Sequence, residues 1–253
     1  RAPVRQRVSD TARRLRWAAG VAVVCALASG WLAGRIGLVS TLGLLMGWWV
    51  VAAVATDLWE RIAPRSTPGG SMFQRARQIP RATVGMMVAH LGIAVFIFGV
   101  TMVKGYEVER DVKMAVGQST QIDDLRFTLR GLRELKGPNY SAVQGWVEVT
   151  RVGANGETKV TDMLPEKRVY NVQRNPMTEA AITTGLVKDL YVSLGEEVEG
   201  GAWIVRIYVK PFIDWIWGGA LLMAIGGALA ASDRRYRAKR RSEQAMPSGA
   251  VAS

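Results

Sequence analysis

Apolar residues of this chain are gathered into four blocks separated by polar segments. The blocks cover about residues 17–33, 38–56, 83–103 and 211–232, and charged residues are absent from them or lie at their edges. A helix of about 20 apolar residues spans the hydrocarbon core of a bilayer, and each block is close to that length. The pattern therefore predicts a polytopic α-helical membrane protein with four transmembrane helices in this chain.

Residues 104–210, between the third and fourth blocks, follow a different pattern. Polar and apolar residues alternate there, with many β-branched and aromatic side chains, in strings such as YEVERDVKM, VQGWVEVTRV and AWIVRIYV. Such runs are typical of strands. Asn155-Gly156 lies between two of them and is a hairpin signal, while residues 177–182 and 189–194 are interpreted as short helical turns. We predict one β-rich extracytoplasmic domain, a small sandwich or barrel.

The net charge of +12 first suggests nucleic-acid binding, but its distribution gives another interpretation. The segments before the first block, between the second and third, and after the fourth hold 17 basic and five acidic residues, and this difference of 12 equals the net charge. Basic residues next to membrane spans stay cytoplasmic. We therefore predict an inner-membrane protein with cytoplasmic termini, a periplasmic domain at residues 104–210, a basic cytoplasmic tail at 233–253, and no nucleic-acid partner. The basic residues concerned are Arg1, Arg5, Arg7, Arg13, Arg14, Arg16, Arg61, Arg65, Arg75, Arg77, Arg81, Arg234, Arg235, Arg237, Lys239, Arg240 and Arg241.

Cysteine and histidine usage limits the chemistry. Cys25 is the single cysteine and lies inside the first block, so disulfides and CxxC pairs within the chain are excluded. Residues 104–210 contain neither histidine nor cysteine, which argues against an ordinary metal site or a histidine-assisted nucleophile there. We interpret this domain as a docking surface, and we expect no catalytic residue in it.

His90 is the single histidine, and it lies inside the third block. An ionisable side chain within a membrane span is costly, so it should face protein or a cofactor instead of lipid. The neighbours at helical spacing, Met86, Met87, Ile93, Ala94 and Ile97, form an apolar face on which a flat macrocycle could lie. Three roles remain open from these residues alone: a hydrogen bond to a neighbouring helix, ligation of a metal, and proton relay.

Trp48 and Trp49 lie in the middle of the second block. They are interpreted either as helix or lipid packing or as the wall of a cofactor pocket. The Gly and Ala residues of the fourth block, including Ala220, Ala224 and Ala228 with Gly226 and Ala230 beside them, recur at four-residue spacing and predict close helix packing.

The chain contains, in this order, the strings VAHLGIAVFIFG, YEVERDVKM, GPNY, NPMTEAAI, DLYVSLGEE and WIVRIYVKPFIDWIWGGALLMAIGG. They resemble the C-terminal part of the CcmF (CycK) family of haem lyases, which act in system I cytochrome c biogenesis. The resemblance runs from about Pro80 to Tyr236, and the first two blocks fit by position only. The first residue is Arg1 and not Met, which suggests either a processed chain or a segment of something longer, and we favour the segment.

The resemblance implies a membrane enzyme that attaches haem to apocytochrome c, working with the haem chaperone CcmE and a CcmH-type apocytochrome-handling protein. It also implies a b-type haem, with His90 as one of two axial ligands to the iron. The tryptophan-rich external segment and the other histidines of the family have no counterpart here, so the second ligand is expected outside this chain. This portion alone is not expected to be catalytic. The competing hypothesis is a non-catalytic membrane scaffold or haem-transport subunit with a periplasmic interaction domain.

Overall fold

The computed structural model describes residues 4–32, 34, 37–63, 71–154, 156–172 and 174–233, with side chains from residue 16 onward. The chain divides into a helical unit and a β unit, Met102–Asp214. Asn155 of the predicted turn, and the predicted basic tail beyond Asp233, lie outside the described residues. Five helices and ten strands are formed by the residues that are described.

Three of the helices are long and apolar enough to cross a membrane. They are α2, α4 and α5, whereas the apolar part of α1, Arg16–Leu32, is shorter. The structure thus supports three of the four predicted spans by length and composition, and a fourth span in α1 stays a prediction. The helices are α1 (Val4–Leu32), α2 (Leu38–Ile62), α3 (Met72–Arg77), α4 (Arg81–Tyr106) and α5 (Ile213–Ala231).

Glycines bring α4 and α5 into backbone contact. A Cβ added at Gly85 would lie 2.5 Å from the carbonyl oxygen of Gly226 and 2.4 Å from the backbone nitrogen of Ala230, and one added at Gly92 would lie 2.8 Å from the carbonyl oxygen of Gly219. These glycines recur every seven residues, or about two helical turns, on one face of each helix. Gly226 and Ala230 therefore take part in the close packing that the sequence predicts.

The predicted row of Ala220, Ala224 and Ala228 is not part of the contact with α4. Ala224 and Ala228 are exposed in this chain, and Ala220 is only half-buried. A helix has several rows of small residues at four-residue spacing, and only the partner helix determines which row is covered. Here α4 covers the row that contains Gly226.

Small residues also line the contacts of α2 with α1 and with α4. On α1, Ala18, Ala22 and Ala26 are buried at four-residue spacing, as on a face in close helix contact. On the other side of α2, a Cβ at Gly43 would collide with the Thr101 side chain of α4, and a Cβ at Gly47 would lie 2.5 Å from the Phe98 ring.

The β unit is a sandwich of two antiparallel sheets, one with the strand order β1-β10-β9-β8 and one with the order β2-β3-β4-β6-β7, in which β5 also pairs with β4. The β4–β5 hairpin turns between Gly153 and Gly156, where the Asn155-Gly156 signal predicts a turn. The strands are β1 (Val108–Met114), β2 (Ser119–Ile122), β3 (Leu125–Lys136), β4 (Tyr140–Gly153), β5 (Gly156–Met163), β6 (Glu166–Tyr170), β7 (Pro176–Glu179), β8 (Ala181–Thr183), β9 (Lys188–Val198) and β10 (Ala202–Pro211).

The two predicted helical turns are wrong. Residues 177–182 fall largely in β7 and β8, and residues 189–194 lie inside β9. The alternation of buried Leu190, Val192 and Leu194 in β9 matches the two-residue period of a strand with one face in the core. Pairing and burial override the weak helical preference of these segments.

Residues from both sheets form one core. Phe127, Leu129 and Val147 come from the larger sheet, and Val205 and Ile207 come from the smaller one; all five are fully buried. Each alternates along its strand with a residue that faces outward, which is the signature of a sandwich. The prediction of a small sandwich or barrel is confirmed as a sandwich.

Candidate functional site

His90 lies on α4, nine residues after the helix begins at Arg81. At a rise of about 1.5 Å per residue, this is about 14 Å along the helix axis. The ring nitrogen Nδ1 lies 2.8 Å from the carbonyl oxygen of Met86. A carbonyl can only accept, so Nδ1 carries the proton that it donates, and in the neutral imidazole Nε2 then has the lone pair.

The surroundings of His90 differ partly from the predicted apolar face. Met86 and Ile93 are exposed beside the exposed imidazole, and Ile97 is half-buried. Met87 and Ala94, by contrast, are buried inside the helical unit. The face available to a ligand is therefore Met86–His90–Ile93–Ile97, and Met87 and Ala94 belong to the packing of the helices.

This arrangement fits one half of a haem axial site. Histidines that bind metals usually donate their second ring N–H to a carbonyl or carboxylate, which fixes the tautomer, and His90 does so with Met86. The described residues contain no group of three His, Cys, Asp or Glu side chains that could hold a bare metal ion. The donor set is one imidazole with a neighbouring thioether, which suits haem iron and requires a second axial ligand from elsewhere.

Trp48 has the packing role that was one of its two interpretations. Its indole N–H donates to the Ser29 hydroxyl of α1 at 3.3 Å, and its ring meets Phe98 of α4 edge-on at 5.3 Å between centroids. Trp48 thus connects three helices. Trp49 is partly exposed and has no such role among the described contacts.

A second candidate surface lies on the outer face of the larger sheet. A depression of about 360 Å³ opens between β3, β4 and the β5–β6 connection. Gly131 on β3 pairs with Trp146 on β4, and no atom lies within 4 Å of the position that a Gly131 Cβ would take. The missing side chain leaves room beside the indole. Trp146 and Leu164 are both nearly half exposed at this depression, so it presents apolar surface to solvent.

Charged groups surround the depression. Hydrogen bonds from Lys159 and from the Trp146 indole hold the pKa of Asp162 below its ordinary value, so this carboxylate is ionised. Arg133 donates through Nε to the buried Gln144 amide oxygen at 2.7 Å. Among the residues that the structure describes, no carboxylate lies within ion-pair distance of Arg133. The depression thus combines apolar surface with an exposed guanidinium.

Beyond Gln144, a polar network continues across the sheet and fixes this face. The Gln144 amide N–H donates to Glu166 at 2.6 Å, and the Arg168 guanidinium donates to the other Glu166 oxygen at 2.8 Å. The hydrogen bond from Arg168 lowers the pKa of Glu166. Sequence reasoning missed the Trp146 surface, although one signal was present: Trp146 stands in the outward phase of β4, between Gln144 and Glu148.

Three apolar helices of membrane-crossing length, joined to a β-sandwich, define the class: a membrane protein with one β-rich domain. Comparison with known proteins is more specific. The family described as "CcmF C-terminal beta-sandwich" matches residues 105–211, which are nearly the whole β unit.

Relatives extend the match into the helices. The cytochrome c-type biogenesis protein CcmF of Pseudomonas aeruginosa is 43% identical over 195 residues, which are 77% of this chain and 28% of that protein. The CcmF protein of Escherichia coli K12 is 39% identical over 226 residues, 89% of this chain and 33% of that protein. The chain thus spans about three tenths of the length of these relatives.

A solved structure titled "Cytochrome c Heme Lyase CcmF" has the same fold, with a TM-score of 0.65 over 91% of this chain and 35% of that one, at 19% identity. Taken together, these matches identify the chain as corresponding to the C-terminal portion of CcmF. The family prediction made from the sequence strings is confirmed.

Proposed function

We propose that this chain is the C-terminal portion of a system I haem lyase, which attaches haem to apocytochrome c during cytochrome c biogenesis. In this proposal the chain contributes one axial ligand of a b-type haem and a periplasmic docking domain, and by itself carries no catalytic residue. The observation behind the ligand is the geometry of His90, whose Nδ1–H donates to Met86 and whose Nε2 remains open to an iron.

Bound haem b would supply a redox-active iron whose potential depends on its axial ligands. His90 would hold that iron through Nε2, and the hydrogen bond to the Met86 carbonyl would keep the imidazole in the required tautomer. A second imidazole ligand would have to come from outside this chain, because His90 is its single histidine. Met86 is the other side chain on this face with a donor atom.

The ligand proposal is tested in the chain expressed together with the rest of the polypeptide. His90→Ala should remove the bis-imidazole absorption spectrum and cytochrome c maturation together, and His90→Gly with added imidazole should restore part of both. Met86→Leu is the matched control, because it removes the neighbouring donor atom and leaves the carbonyl that orients His90. Full haem content in a normally expressed His90→Ala variant would refute ligation.

The topology that we propose has both termini in the cytoplasm, four spans in the bacterial inner membrane and residues 104–210 in the periplasm. It rests on the distribution of Lys and Arg around the apolar helices. Alkaline phosphatase fused after Gly156 should be active, since this enzyme folds only in the periplasm. A fusion after Arg241 should be inactive, and activity there would overturn the orientation.

For the β-sandwich we propose a docking role toward the apocytochrome-handling partner of CcmH type, in complexes that also include the haem chaperone CcmE and apocytochrome c. The supporting observation is the depression beside Trp146, which combines apolar surface with the exposed Arg133 guanidinium. A segment that places an apolar side chain beside a carboxylate would complement both features, because burial of the apolar group and pairing of the charge then occur together.

Co-purification of the assembled protein with a tagged CcmH-type partner tests this role. Trp146→Ser and Arg133→Gln should each reduce recovery of the partner. The control Val172→Ser removes another exposed apolar side chain, which is 92% exposed, from the connection after β6, and should leave recovery unchanged. Equal recovery with all three variants would place docking elsewhere on the protein.

The second candidate function is a membrane scaffold or haem-transport subunit in which His90 is only packed. The exposed position of His90 on α4 leaves the imidazole accessible within the described residues, as ligation requires. A Soret band in the purified whole protein distinguishes the two, since a scaffold would have none.

A further inference from the structure

The polar connection between α2 and α4 folds back on the end of α2. Its short helix α3 begins with a capping box, in which the Ser71 hydroxyl accepts the Gln74 N–H and the Gln74 side chain accepts the Ser71 N–H. From α3 the Arg75 guanidinium donates to the carbonyl oxygens of Ile62 at 3.4 Å and Ala63 at 2.5 Å. Carbonyls at the end of a helix have no partner within it, so an outside donor stabilises them. The connection is thus held at a defined position against α2.

A cavity of about 270 Å³ lies between this connection and the last turn of α2. Arg61 lines it from α2, and Arg75, Gln78, Ile79 and Pro80 line it from the connection. The polar side chains of this lining are two guanidinium groups and one amide, and no carboxylate is among the five residues. A guanidinium carries five N–H donors and no acceptor. The lining therefore combines hydrogen-bond donors with positive charge, which is the chemistry that binds a phosphate.

The existing contact of Arg61 leaves donors for such an anion. Its Nε donates to the Asp57 carboxylate at 3.0 Å, one turn earlier on α2. Within the described part of the chain Arg61 makes no other hydrogen bond, so its two terminal nitrogens have no acceptor there. The planar fork of an arginine side chain matches the oxygens of a phosphate. The bond to Asp57 thus orients a guanidinium that can still bind an anion.

The cavity lies at one end of the helical unit, where all three membrane-length helices meet. Helix α2 ends there, α4 begins there at Arg81, and the buried Asp233 carboxylate, which follows α5, accepts the Ala82 N–H at 3.0 Å. Residues 234–241 directly follow Asp233 in the sequence and include six basic residues. The cavity is therefore placed where apolar spans give way to a strongly basic sequence.

We propose that this cavity binds the phosphate of an anionic phospholipid. The inference rests on the proposed function in one respect, namely that α2 and α4 cross the membrane. Basic pockets between transmembrane helices bind anionic lipid headgroups, and Lys and Arg clusters beside a span attract such lipids. Apolar surface next to the arginines favours lipid over free phosphate: Ile79 and Pro80 line the cavity, and Met72 and Phe73 of α3 are exposed.

The test measures lipid binding to the whole chain in detergent by native mass spectrometry. The probes are dioleoylphosphatidylglycerol, which is anionic, and dioleoylphosphatidylcholine, which has a phosphate but no net charge. We expect phosphatidylglycerol to bind at least about tenfold more tightly than phosphatidylcholine. Arg61→Gln should remove most of this preference, because a charge-assisted hydrogen bond to the phosphate is lost. Ile79→Trp keeps every charge but fills the cavity, so it should remove the preference as well.

Arg77→Gln is the matched control. It removes one charge from the same connection, but Arg77 does not line the cavity and lies instead 5.8 Å from the Phe73 ring centre. This variant should keep most of the preference, because exposed charges are screened over about 8 Å at 0.15 M salt. Helical circular dichroism verifies that each variant is folded. Equal losses in Arg61→Gln and Arg77→Gln would show diffuse attraction to a basic surface, and would overturn the proposed site.

Other results overturn the inference in distinguishable ways. If inorganic phosphate binds the chain as tightly as phosphatidylglycerol does, the cavity takes a free anion and not a lipid. If the two lipids bind equally while the chain resists alkaline carbonate extraction from vesicles, α2 and α4 span and only the lipid site fails. If carbonate extracts the chain, these helices do not span, and the proposed topology fails together with the inference.

Discussion

Substitution of Gly226 on α5 should separate α5 from α4. In Gly226→Ala the new Cβ would lie 2.4 Å from the Ala89 nitrogen and 2.6 Å from the Gly85 carbonyl oxygen. Non-bonded heavy atoms are most stable at about 3.5–4.0 Å, so the helices must move apart by about 1 Å at this point. Both near atoms belong to the backbone, and no side-chain rotation relieves the contact. Overpacking of this kind costs about 1–3 kcal/mol.

Gly227 is the matched control, because a Cβ there meets no atom within 4 Å. Alanine is a better helix former than glycine by up to about 1 kcal/mol, so Gly227→Ala should be neutral or slightly stabilising. The propensity gain is common to both substitutions, so the two variants should differ in the free energy of unfolding by the overpacking cost alone, roughly 1–3 kcal/mol. Unfolding of the whole chain in detergent, followed by helical circular dichroism, measures the difference. Equal stability of the two variants would refute the close backbone contact.

Three further outcomes follow from individual contacts. Burial raises the pKa of Asp189 above its ordinary value of 3.8. The protonated carboxyl therefore stabilises the fold below pH 3.8, and this stabilisation is lost as the pH rises through the folded-state pKa. Asp189→Asn should stabilise the chain at neutral pH, and acid denaturation curves should show that the gain vanishes below pH 3.8. The hydrogen bond from Arg206 lowers the pKa of Asp111. The small contribution of this exposed ion pair to the free energy of unfolding should therefore be present above pH 3.8 and be lost as the pH falls, and Asp111→Asn should remove this pH dependence. Trp48→Phe should cost about 1 kcal/mol through the lost bond to Ser29; a double-mutant cycle with Ser29→Ala checks this, and zero coupling would contradict it.

Helix positions were largely predictable, because apolar blocks of membrane length have few alternatives. The C-terminal end of α2, however, was not predictable from the apolar pattern. The apolar block stops at Thr56, but the helix continues to Ile62. Asp57 and Arg61 form an ion pair at 3.0 Å, one turn apart, which sustains the last turns in a charged segment. Hydropathy locates the part of a helix that suits the hydrocarbon core, not the part that extends beyond it.

Strands β7 and β8 were not predictable from local sequence. The string MTEAAI contains good helix formers, yet β7 pairs with β6, and the Arg168 guanidinium of β6 lies 3.5 Å from the Glu179 carboxylate of β7. These contacts join residues that are distant in sequence, so no local propensity reports them. The depression beside Trp146 has the same origin, since it requires Gly131 and Trp146 to be paired partners.

The orientation of His90 follows from the packing of α4 and not from its own position in the sequence. Gly85, Gly92 and Gly99 place one face of α4 against α5. His90 comes five residues after Gly85 and two before Gly92, and at about 100° per residue both offsets direct it to the opposite side of the helix. Helix α2 contacts α4 through Phe98 and Thr101, which leaves the imidazole exposed. Any group that completes a site at His90 must therefore approach from a direction that α2 and α5 do not occupy.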